Sequence, residues 1–99
     1  MDKREEIKEV IFWAIDDMNE LLPKGRKMKK NLEVVIFGEG GLDSLDLINF
    51  LVAVEGKVEG QFGMAISLLN EKAMADMNSY ERTTGGLVDY LLSLLNKIG

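Results

Sequence analysis

Residues 44–58 are apolar on two opposite sides of a helical repeat, and this pattern limits how the chain can fold. Leu47, Leu51, Val54 and Val58 recur at i, i+4, i+7 and i+11 and fall on one face. Leu45, Ile48 and Val52 fall together on roughly the opposite face. The spacing predicts a helix from Ser44 to about Gly60, its end weakened by Gly56 and Gly60. Two arrangements satisfy such a helix. It is central and covered on both sides, or its second face stays partly exposed and meets a partner. Asp43 stands immediately ahead as a candidate N-cap. Asp46 is placed to face back in a variant of the capping box. Ser44 then lies in the first turn. A phosphate attached there would meet free backbone N–H groups and the positive end of the helix dipole.

The rest of the chain predicts an all-α fold. Ile7, Val10, Ile11, Ala14, Met18, Leu21 and Leu22 mark a first helix over about Arg4–Leu22, stopped by Pro23 and Gly25. Phe12 and Trp13 fall off that stripe and are expected to cover loop residues. Residues 23–43 form a long connection. Within it, Leu32–Phe37 has strand propensity but no second strand to pair with, and a lone strand is unstable. It is read as an ordered loop pinned by its apolar side chains. Gly38, Gly40 and Gly41 then allow the turn into the central helix. Asn70–Met77 is a short helix candidate. Thr83 or Thr84 can cap a last helix whose stripe is Leu87, Leu91, Leu94, Leu95 and Ile98. The expected architecture is a single domain over 1–99, an antiparallel bundle of three long helices and one short.

Composition excludes several chemistries. The chain has no cysteine and no histidine, so it offers no thiolate, no zinc-thiolate site and no Ser-His-Asp triad. Any thiol chemistry must be imported on a prosthetic group. The net charge is −5, and five cations cluster at Lys24, Arg26, Lys27, Lys29 and Lys30, so the remainder carries −10. That balance disfavours nucleic acid and favours basic protein partners. The cluster at 24–30 is read as a solvated loop, with contact to helix ends or to a phosphate as the alternative. No apolar run is long enough for a membrane span, and the N-terminus does not resemble a secretory signal. A cytoplasmic monomer is expected.

Gly41–Leu42–Asp43–Ser44–Leu45–Asp46 resembles the Gly-x-Asp-Ser-Leu motif that opens the second helix of acyl carrier proteins. Phe37–Gly41 before it and Leu47–Glu55 after it also fit, as do Phe62–Ile66 and Thr83–Leu91. The resemblance implies that Ser44 carries a 4′-phosphopantetheine arm, attached from coenzyme A by a phosphopantetheinyl transferase. The arm would hold acyl groups as thioesters for acyl-loading and acyl-transferring enzymes. It implies a carrier and not an enzyme, with Asp43 orienting and capping at the attachment site. Leu45, Asp46, Ile48, Val52 and Glu55 are the expected docking residues. Asn49, Gly56 and Lys57 stand where carriers of fatty acid synthesis commonly have acids, which points to a specialised lipid, polyketide or related pathway. An aminoacyl or peptidyl carrier and an unmodified helical interaction domain are the alternatives. Met64, Met74 and Met77 are candidate acyl-lining residues or core filler.

Overall fold

The structure, a computed structural model, describes residues 2–98; Met1, Gly99 and the Ile98 side chain lie outside that description. Four α-helices form in chain order: α1 (Lys3–Leu21), α2 (Ser44–Phe62), α3 (Glu71–Asn78) and α4 (Thr84–Ile98), with a 3-10 turn at Lys24–Arg26. The described residues form no strand, and no helix is long and apolar enough to cross a membrane. The Cα radius of gyration is 12.5 Å, close to the ~13 Å of a compact chain of this size.

Caps set the helix starts. Asp2 accepts from the Glu5 amide at 2.8 Å, and Asn70 accepts from the Ala73 amide at 2.7 Å. Thr83 Oγ1 accepts from the Gly86 amide at 3.2 Å, so of the two threonines Thr83 caps α4, and Thr84 is its first residue. α2 ends at Gly63, whose φ of 69° gives the left-handed C-cap.

α1 packs against α2 and α4, and α3 packs against α4. Ile7, Val10, Ile11, Ala14 and Met18 are buried as their spacing predicts. Ile15, beside that stripe, is also fully buried, because α1 is covered by two neighbours and its buried arc is wide. Leu21 departs from the expectation: it is the last residue of α1 and is 76 % exposed. Trp13 does not cover a loop. It lies 59 % exposed on α1, with the Lys57 ammonium of α2 over its ring at 4.4 Å from the centroid.

Leu32–Phe37 is pinned as expected, with Ile36 and Phe37 in the core. Its backbone also finds partners. Ile36 N–H donates to the Arg82 carbonyl at 2.7 Å, Thr84 N–H to Val34 at 2.9 Å and Gly85 N–H to Leu32 at 2.8 Å. One antiparallel bridge, Val35 with Thr83, joins the two stretches. This clasp fixes the start of α4 against the segment leading into α2.

Candidate functional site

The site is built at the junction that opens α2. The chain leaves the core at Phe37 and turns through Gly38 and Gly40, whose φ values of 75° and 85° favour glycine. Leu42 N–H donates back to the Ile36 carbonyl at 2.9 Å, closing the turn. A Cβ on Gly41 would fall on that same carbonyl, so the turn admits no larger residue there. Asp43 follows with extended backbone (φ −71°, ψ 172°) and caps α2. Its Oδ1 accepts from the Asp46 amide at 2.9 Å, and its carbonyl accepts from the Leu47 amide at 2.8 Å. Ser44 is the first residue of α2, and its side chain is exposed.

The Asp46 carboxylate does not reach back to complete a capping box. It turns to Arg26, whose Nη2 donates to Asp46 Oδ2 at 2.8 Å and to Asp43 Oδ2 at 3.1 Å. A charged partner outcompetes a neutral amide for the carboxylate. The expected solvated loop at 24–30 is therefore partly tied down. Lys27 donates to the Asn19 and Leu22 carbonyls at the C-terminal end of α1, where a cation also suits the helix dipole. Lys30 pairs with Asp16 at 3.3 Å. Arg26, Lys27 and Lys29 line one side of a shallow cleft of about 250 Å³ whose other side is Gly40, Gly41 and Leu42.

The Asp43 carboxyl is held below its usual value of 3.8, first by the hydrogen bond from the Asp46 amide; desolvation opposes this, and the Arg26 charge and hydrogen bond add to the lowering. A carboxyl lowered in the folded state stabilises fully above 3.8, and that contribution fades as pH falls through the lower folded-state value. Asp43→Asn keeps a capping oxygen and loses the charge. The difference in melting temperature between it and the wild type should be greatest near neutral pH and close in acid below 3.8. A difference that persists undiminished to pH ~2 would show that charge is not what Asp43 contributes.

The two faces of α2 separate cleanly. Leu51, Val54 and Val58 are fully buried, together with Phe50, while Leu47 is partly buried. Leu45, Ile48 and Val52 are 68 %, 47 % and 50 % exposed, so the second face is not covered within the chain. They follow Ser44 along the same helix and form an exposed apolar strip beside it. Glu55 stands apart from the other expected docking residues. Its Oε2 accepts from the Leu68 amide at 2.6 Å, so this carboxylate also anchors the segment after α2.

Met77 is buried in the core, and Met64 and Met74 pack against it. An open cleft of about 330 Å³ lies between α3 and α4, with Ile66, Ala73, Tyr90 and Leu94 among its walls, and none of the three methionines lines it. Ser44 does not line it either. Contact of the basic cluster with helix ends is the alternative reading of 24–30; the sequence does not single out Arg26 as the residue that pairs with Asp43 and Asp46, nor Leu68 as the partner of Glu55. The only advance signal for Arg26 was its place in a basic cluster. No protein-family model, curated protein or solved structure matches the chain.

Proposed function

We propose that this chain is an acyl carrier protein whose Ser44 bears a 4′-phosphopantetheine arm. The observation that carries the reading is an exposed serine hydroxyl at the first residue of a capped helix, flanked by an uncovered apolar strip. The residues fit such a group. Ser44 is open to a transferase, and the helix start offers N–H donors and a favourable dipole to a phosphodiester. The arm would supply the thiol that a chain without cysteine lacks. Asp43 would hold the backbone so that the Ser44 hydroxyl projects from the junction. Leu45, Ile48 and Val52 would form the apolar part of the docking face, with Asp46 at its edge. The fold proposed here is the carrier bundle, with α1, α2 and α4 as its long helices and α3 as its short one.

The same exposed strip also suits an unmodified helical interaction domain, and one measurement separates the two readings. Incubated with coenzyme A, magnesium and a promiscuous phosphopantetheinyl transferase, the wild type should gain a single phosphopantetheine mass. Ser44→Ala should gain none and keep the helical circular dichroism of the parent. A wild type that stays unmodified, or a label at Ser67 or Ser79, would refute the assignment.

A further inference from the structure

Arg26 is placed more firmly than a surface arginine needs to be. Its amide donates to the Pro23 carbonyl at 2.8 Å, closing the 3-10 turn. Two residues on, Asn19 grips Met28 twice: its Nδ2 donates to the Met28 carbonyl at 2.9 Å and its Oδ1 accepts from the Met28 amide at 2.7 Å. Lys27 adds its contacts to the end of α1. The loop thus presents Arg26 from a fixed base and lowers the entropy lost in holding its side chain on target.

The place it is presented to runs against the usual electrostatics. A cation at a helix N-terminus opposes the dipole. Arg26 is held there by Asp43 and Asp46, which share one nitrogen of its guanidinium. The contacts are also at the surface, with the Arg26 side chain 54 % exposed. Exposed ion pairs are weak enough to be exchanged for an equivalent pair across an interface. The Asp43 and Asp46 carboxylates beside Ser44 are therefore paired with a cation of the same chain, Asp43 staying 60 % exposed and Asp46 21 %, and the pairing is exchangeable.

We propose that Arg26 is a specificity-determining residue of the Ser44 site: it pairs with the Asp43 and Asp46 carboxylates, and a basic partner protein competes with it for that pair. The inference rests on the carrier reading for its biological meaning, though not for the competition itself. Partners that dock through the apolar strip alone are indifferent to Arg26. Partners that need the acids are slowed by it.

The test has two arms. In the first, Ser44 is modified by a phosphopantetheinyl transferase with a basic docking face, at low and at high salt. Arg26→Gln should be modified about two- to fivefold faster than wild type at low salt, and the advantage should vanish as salt screens the charges. Arg26→Lys should restore the wild-type rate. In an Asp46→Asn background the effect of Arg26→Gln should shrink. In the second arm, a hexalysine peptide is titrated into the unmodified protein while backbone amide shifts are followed by NMR. Shifts at residues 43–48 should saturate at lower peptide concentration in Arg26→Gln than in wild type. If no form is modified, the carrier reading fails and the peptide arm alone decides the competition. Equal or slower modification of Arg26→Gln at low salt, or equal peptide binding by both proteins, overturns the proposal.

Discussion

Gly86→Ala should destabilise the protein, although the same change at most helical positions is favourable. Gly86 lies in the first turn of α4 and is buried. Alanine there gains up to about 1 kcal/mol of helix propensity. Against that gain, a Cβ at position 86 would lie on the Glu81 carbonyl oxygen, 2.7 Å from the Glu81 carbonyl carbon and 3.0 Å from its Cα. These are backbone atoms and cannot rotate away. α4 would have to move off the 81–85 segment, which is clasped to Leu32–Ile36 by the backbone hydrogen bonds at 82, 84 and 85. Overpacking of this kind costs about 1–3 kcal/mol or more, a large part of the roughly 5–15 kcal/mol that holds a domain together. Gly56→Ala is the control. Gly56 is exposed in α2 with open space where a Cβ would go, so alanine there should stabilise by up to about 1 kcal/mol. Urea denaturation of the two variants should move the midpoint in opposite directions. Equal shifts would mean that α4 does not approach the 81–85 backbone so closely.

The second large effect tests the division of α2 into two faces. Leu51 is fully buried, and Leu51→Ala should cost about 2–5 kcal/mol through lost burial and the cavity left behind. Val52, the next residue, is 50 % exposed, and Val52→Ala should change stability by less than about 0.5 kcal/mol. On the proposed carrier reading, Val52→Ala should instead slow acyl transfer to or from a partner enzyme, because it trims the apolar strip beside Ser44. The pair is best read from one set of thermal melts and one set of transfer rates. A Val52→Ala protein that melts as early as Leu51→Ala would place the second face in contact with an element that buries it, and the docking strip would have to lie elsewhere.

The helices are local properties, and the sequence alone marked them to within a few residues; of their caps it singled out Asp43 and left Thr83 and Thr84 open. Apolar spacing marked α1 and α2. Asp43 capped α2, and Asn70–Met77 was picked out as a short helix from its pattern. The absence of cysteine and histidine removed whole classes of chemistry before any fold was known. The tertiary structure decided everything that depends on which elements meet. Periodicity gave α2 two apolar faces and left open whether the second was covered or exposed. Packing buried Leu51, Val54 and Val58 and left Leu45, Ile48 and Val52 about half exposed or more, because α1 packs on one side of α2 and no helix among the described residues covers the other. Leu21, expected on the buried stripe, is exposed, and Ile15, beside that stripe, is buried: helical phase does not say how wide an arc the neighbours cover or how far along α1 it extends. The pairing of Leu32–Ile36 with 82–85, the bond from Leu68 N–H to Glu55 and the reach of Arg26 to Asp43 and Asp46 join residues far apart in the chain. Many partners of the right charge or hydrogen-bonding capacity were available to each of them, and only the folded chain selects which one lies within reach.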